Sequence, residues 1–159
     1  MKREYGFTLV ELVMALAVLA IVITIGIPAF NNFVQNQRTT SQVNEVIGVL
    51  QLARNEALSR GQRVGLWSVD GDWNTGYQLK LDTNNDGDYD DAGDEVLLEF
   101  AATEAGVLTV DADPMDFLPS GFLPQAYLLN ILADGCKNQN NRDITISRSG
   151  AISVERKDC

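Results

Sequence analysis

From Phe7 to Ile27 the chain is apolar for twenty-one residues, and Glu11 is the one charge among them. At about 1.5 Å per residue that is a helix of about 30 Å, the thickness of a bilayer's hydrocarbon core. Pro28 follows; lacking a backbone donor, it marks a kink or break in the helical pattern. Beyond it the pattern turns amphipathic. Val43, Val46, Ile47, Leu50, Ala53, Ala57 and Leu58 recur at i, i+3, i+4 and i+7, while Gln42, Glu45, Arg54 and Glu56 are assigned to the other faces. Arg60-Gly61 supplies a basic last turn and a C-cap glycine. The pattern predicts one helix of about fifty residues, its first half in lipid and its second half on a globular domain.

After Gly61 the period changes from helix to strand. The predicted strands are Arg63–Val69, Gly76–Leu81, Glu95–Phe100, Val107–Val110, Ala126–Leu132, Asp143–Ser147 and Ala151–Glu155. Asp70 to Thr75 reads as a loop, and Ile144/Ile146 and Ile152/Val154 alternate across an Arg148-Ser149-Gly150 hairpin turn. A helix followed by strands gives an α+β class, a largely antiparallel sheet on one helix.

An ordinary secretory signal shares the basic start, Lys2 and Arg3, and the apolar run. It would end in a small-residue cleavage site, which Ile27-Pro28-Ala29-Phe30 does not offer. Glu11 argues against it too, because an acidic side chain at mid-helix costs about 2.5–3.5 kcal/mol on insertion, less near an end. Lys2 and Arg3 place the N-terminus in the cytoplasm, and everything after Phe30 on the far side of the membrane.

Gly6-Phe7-Thr8-Leu9-Val10-Glu11-Leu12, behind a basic leader and ahead of an apolar tail, resembles the type IV prepilin signal of pilins and type II secretion pseudopilins. The resemblance implies cleavage after Gly6 by a prepilin peptidase, N-methylation of the new Phe7 amine, and a role in assembly for Glu11. It implies three segments: a leader, 1–6; a transmembrane and assembly helix, 7–30; and a periplasmic globular domain, 31–159. A small Gly6 leaves room for the peptidase, and Glu11 is the one carboxylate in the span able to neutralise the new amine.

Formal net charge is −10, and the imbalance is local. Asp70 to Asp116 holds fourteen acidic residues against Lys80 alone, whereas Cys136 to Cys159 holds five basic against three acidic. An acidic balance argues weakly against general nucleic-acid affinity, which rests on neutralising phosphates. Cys136 and Cys159 both fall in the segment placed in an oxidising compartment, where a disulfide is expected. Such a bridge is worth about 3 kcal/mol in the chain-entropy model. The chain has no histidine. No nucleophile–base pair, phosphate loop or dinucleotide fingerprint emerges either, so no enzymatic activity is expected. Trp67 and Trp73 are assigned to packing.

The later segments resemble one branch, the GspH/FimT class of minor pilins and pseudopilins. The resemblance lies in Leu52-Ala53-Arg54-Asn55-Glu56-Ala57, in Phe117-Leu118-Pro119-Ser120-Gly121, and in Ile146-Ser147-Arg148-Ser149-Gly150 before a final cysteine. It implies a type IV pilin-like fold and a structural subunit of a pilus or secretion filament, partnered by other such subunits and anchored in the inner membrane. Some FimT-type members bind DNA through a Gly-Arg-x-Arg stretch. Here the matching residues are Gly150-Ala151-Ile152-Ser153, which lack both arginines; Arg148, Arg156 and Lys157 lie nearby. DNA is therefore not an expected partner, and a DNA-binding tip subunit stays as the alternative.

Asp82-Thr83-Asn84-Asn85-Asp86-Gly87-Asp88-Tyr89-Asp90-Asp91 leaves a second alternative open, a membrane-anchored calcium-binding domain that does not polymerise. Oxygen ligands at places one, three and five, a glycine at six and an acid at nine match the opening of an EF-hand loop. The closing glutamate is missing, because the twelfth place is Gly93 and acids follow only at Asp94 and Glu95. Two readings stand: an acidic, solvated turn, or a weak calcium site held by Asp82, Asn84, Asp86, Asp90 and the Asp88 carbonyl.

Overall fold

The computed structural model describes residues 8–90, 92–101, 106–136 and 140–159. Its elements are α1 (Leu9–Arg60), β1 (Arg63–Val69), β2 (Asp72–Asp82), β3 (Glu95–Ala101), β4 (Gly106–Val110), β5 (Met115–Phe117), β6 (Tyr127–Ala133), β7 (Asn141–Ile146) and β8 (Ile152–Lys157). The chain divides into two compact units, the first ending at Val34 and the second running Gln35–Cys159.

In the first unit α1 runs through Pro28 without the expected break. Proline removes one hydrogen bond from the ladder, and the remaining turns are enough to carry the helix across it. No described residue of this unit is buried; Leu9 is 78% exposed, and even Ile23, among the more covered, is 45% exposed. One helix is thus long and apolar enough to cross a membrane.

In the second unit α1 lays a stripe against two sheets. Val43, Val46, Val49, Leu50, Ala53 and Ala57 are buried with residues of both sheets in a single core. The stripe is rotated from the expected one. Leu58 falls outside it, half exposed, while Thr39 and Gln42 lie inside it. Gln42, assigned to an outer face, is buried with both side-chain polar atoms lacking a hydrogen-bond partner. It shares the face of Val46 and Val49, four and seven residues on, and helical geometry carries it in with them. The helix stops where Gly61 takes a φ of 65° and donates its N–H to the Ala57 carbonyl at 3.0 Å, a left-handed glycine stop.

The strands form two four-stranded antiparallel sheets, β3-β2-β1-β5 and β4-β6-β7-β8, where one sheet was expected. The seven predicted strands all exist, shifted by a few residues at their ends. The additional strand, β5, is three residues long and buried throughout, too short to show any period. It pairs with β1, Val64 opposite Phe117. The loop expected from Asp70 to Thr75 is shorter than read. Asp70 and Gly71 turn at φ 55° and 77°, and β2 resumes at Asp72. This is the tight hairpin geometry that two left-handed residues allow. Trp73 is buried against Tyr77, ring centroids 6.0 Å apart, in line with its expected packing role. The β7–β8 hairpin has the expected pairing, Ile146 opposite Ile152 and Ile144 opposite Val154.

Candidate functional site

Three places carry the chemistry that the sequence singled out. The first is the start of α1. Gly6 and Phe7, the expected cleavage and methylation residues, lie outside the described residues. Glu11 is described. Its Oε2 accepts the Thr8 N–H and the Thr8 hydroxyl, both at 2.9 Å, while the Thr8 Oγ1 accepts the Glu11 N–H at 3.3 Å. This reciprocal arrangement is a capping box, which satisfies two backbone donors that a helix start leaves orphaned. The spacing Thr8-x-x-Glu11 carries the signal for it in the sequence.

The second place gathers the three later motifs at the end of α1. Arg54 donates from Nη1 to the Gly150 carbonyl at 3.4 Å, and a Cβ on Gly150 would sit 2.8 Å from that guanidinium. Gly121, at φ 73°, lies so close beneath Leu58 that a Cβ would meet it at 2.9 Å. Leu123 donates its N–H to the Arg148 carbonyl at 2.9 Å. Leu50, Arg54, Leu58, Phe117, Gly150 and Ile152 line a cleft of about 530 Å³ between helix and sheets. Ala53 and Ala57 let the backbone of α1 come close here, both fully buried. The motifs are far apart in sequence because each supplies one wall of the same joint.

Around the C-terminal end, Cys136 and Cys159 are bonded across 23 residues. Among the basic residues there, Lys157 is paired with Glu155 at 2.9 Å, which raises its pKa. Arg156 stands opposite Arg142 in the β7–β8 register. Arg142 is itself buried and donates to Asn36 Oδ1 at 2.7 Å; burial first, then the charge of Arg156, lowers its pKa.

The third place is the β2–β3 loop, from Asp82 to Asp94. Asp82 is fully buried; its Oδ2 accepts the Gly87 N–H at 2.8 Å, and its Oδ1 has no partner. Asn84 Oδ1 accepts the Asp86 N–H, and its amide donates to Asp86 Oδ2 at 2.8 Å. Asp86 Oδ1 takes the Asp88 N–H, and Asp88 Oδ1 takes those of Tyr89 and Asp90. The N–H groups of Asp90 and Tyr89 hold the Asp88 carboxyl below the usual carboxylate range. Among the described residues no three acidic side chains gather into a ready-made metal cluster. Asp91 lies outside them. Asp94 accepts the Thr83 N–H at 3.2 Å, and Thr83 Oγ1 bonds the Gly93 carbonyl at 3.0 Å, so the loop closes on its own start.

With that geometry in hand, the chain matches the family model described as type II transport protein GspH over residues 42–150. It also matches the prokaryotic N-terminal methylation motif over residues 1–27. A fimbrial protein of Pseudomonas aeruginosa is 33% identical over 64 residues, 40% of this chain and 41% of its relative. The chain thus spans about two fifths of the length of the curated relatives it matches. The type IV minor pilin FimU of Pseudomonas aeruginosa shares the fold at a TM-score of 0.60 and 23% identity, over 77% of this chain and 92% of that one. The minor pseudopilin EpsH, from the type 2 secretion system of Vibrio cholerae, does so at 0.55 and 18%, over 75% and 97%.

Proposed function

This chain belongs to the GspH family of type II transport proteins, and from that premise we propose that it is a minor pilin or pseudopilin, a structural subunit of a type IV pilus or type II secretion filament. The observation that carries the reading is the first half of α1. It is apolar on every face, and no described residue of it is buried by the chain itself. A helix of that kind needs lipid or neighbouring helices around it. The methylation motif over residues 1–27 supports processing at Gly6 and Phe7 by a prepilin peptidase and methyltransferase. Before assembly the helix stores the subunit in the inner membrane, with residues 31–159 on the periplasmic side. Assembly then moves the helix from lipid into a bundle of equivalent helices from other subunits.

Glu11 has two separable jobs in this mechanism. Its capping bonds to Thr8 organise the first helical turn. Its charge is available to the amine that cleavage creates at Phe7, one residue before the N–H it already holds. Breaking a desolvated ion pair by removing one partner costs about 3–5 kcal/mol, enough to set the register of docking.

Substitution separates the two jobs. Glutamine at the third helical position keeps a capping box and removes the charge. Glu11→Gln is expected to be inserted, cleaved after Gly6 and helical, yet to enter sheared filaments at least about tenfold less than wild type, in keeping with a lost desolvated pair. Glu11→Val removes both jobs and is expected to do no better. Wild-type incorporation of Glu11→Gln would reduce Glu11 to a helix cap and remove the pairing step. An uncleaved wild-type chain, seen by intact mass after membrane extraction, would overturn the subunit reading altogether.

A further inference from the structure

The β2–β3 loop contains a buried carboxylate that the protein leaves incompletely neutralised. Asp82 has no exposed surface, and its Oδ1 has no hydrogen-bond partner. Its Oδ2 is fixed on the Gly87 N–H of the loop itself, so Oδ1, one carbon away, is held at the loop's base as well. The basic side chains beside it are engaged elsewhere. Arg63, whose Nη1 would stand 2.6 Å from a Cβ on Gly87, pairs with Asp116 at 3.3 Å. Lys80 donates to the Tyr89 carbonyl at 3.0 Å and lies 5.1 Å from the Trp67 ring centre. A buried acceptor without a partner is unfavourable, and more so when it carries charge.

We infer that described residues of the β2–β3 loop form a calcium site, with Asp82, Asn84 and Asp86 as side-chain ligands, Asp88 through its carbonyl, Asp90 at the ninth place, and Asp94 as the closing carboxylate. The donors are all oxygen, which suits calcium, an ion that takes six to eight such ligands in flexible geometry. The Asp88 carboxylate is already turned onto the N–H groups of Tyr89 and Asp90, leaving its main-chain carbonyl to serve at the seventh place. Gly87, at φ 89°, makes the turn at the sixth. The strand register supplies what the sequence lacks at Gly93. By bonding Thr83 N–H, Asp94 returns its carboxylate to the residue next to Asp82. Binding draws the Asp86 and Asp90 carboxylates in from their present positions, since among the described residues no three acids are gathered beforehand. The ion therefore orders the loop as it binds, and the affinity belongs to the weak class, about 10⁻⁴–10⁻³ M, of extracellular modules.

The test uses the full processed chain in detergent, stripped with chelator and titrated with calcium chloride or with magnesium chloride. Calcium at about tenfold over such a dissociation constant is expected to raise the melting temperature by about 3–6 °C. It is also expected to change the emission of Trp67, whose ring centroid lies 6.3 Å from that of Tyr89 in the loop. Asp86→Asn should weaken binding about tenfold or more. Asp82→Asn should melt at or above the calcium-free wild type, because it discharges the buried group, and should lose the calcium response. Asp70→Asn, in the β1–β2 turn, should respond as wild type. Absence of binding heat and of any melting shift at about 5 mM calcium, beyond the range of such modules, would overturn the site. So would an equal response to magnesium, or an Asp82→Asn chain that still responds. None of these readouts involves filaments, so the outcome is independent of the subunit reading.

Discussion

The two halves of α1 share one backbone conformation and end in opposite surroundings. From Leu9 to Ile27 the large apolar side chains point in every direction, and all are exposed. From Gln35 to Arg60 most of the apolar residues share one side and close a core with two sheets, with Leu50, Ala53 and Ala57 at zero exposure. The difference is the polar face. Asn44, Glu45, Gln51 and Asn55 are exposed and give the second half a side that favours water, which fixes the side that faces the sheets. The first half has no such face, so nothing in its own chain can satisfy it.

The largest expected effect that sharpens this contrast comes from Leu50→Ala. It removes a fully buried side chain from the core, and such truncations cost about 2–5 kcal/mol. Thermal or denaturant melting of the detergent-solubilised chain should show it; a loss near zero would mean that this half of α1 is not docked. Next comes the clamp at the other end of the domain. Replacing Cys136 and Cys159 together by serine opens a bridge of 23-residue separation and should lower stability by about 3 kcal/mol. Equal melting with and without reductant would contradict it.

A smaller effect is expected in alkali. Burial, then the charge of Glu45, pushes the Tyr77 phenol up to about 12. Burial, then Asp116, does the same to Tyr127, which donates its hydroxyl to that carboxylate at 3.2 Å. The unfolded phenols release their protons near pH 10, so between pH 10 and 12 the folded chain binds more protons than the unfolded one. Stability that is fully present below pH 10 is therefore lost as pH rises through that window, on the order of 1–2 kcal/mol by pH 11. Tyr77→Phe should flatten the decline, and an unchanged slope would remove Tyr77 as a source. The smallest effect belongs to the exposed half. Leu16→Ala should leave the melting of the globular domain within about 0.5 kcal/mol of wild type, and a core-sized loss would break the comparison.

Much of this was legible in the chain because it is local. A 3.6-residue period and a two-residue period each report on the backbone that carries them, so α1 and seven of eight strands could be read off with errors of a few residues. β5 could not. Three residues have no measurable period, and Met115–Phe117 is a strand only because Val64 and Leu66 offer it an edge. Gln42 was misassigned for a related reason. Its polarity spoke for an outer face, while the face was set by Val46 and Val49 meeting the sheets.

The candidate sites divide along the same line. The prepilin signal, the pairing of Cys136 with Cys159 and the acidic run from Asp82 follow from residue types at fixed spacings, and the Thr8–Glu11 capping box could have been read in the same way. Only the tertiary structure decided that Asp82 is buried while Asp86 and Asp90 are exposed. It alone placed Asp94 against Thr83, and it alone brought Arg54, Gly121 and Gly150 to one joint. Spacing along a chain determines which groups can act together within a turn or two. Which distant groups meet, and which lose their water, depends on strand register and core packing, and those are settled by contacts between residues that no local pattern links.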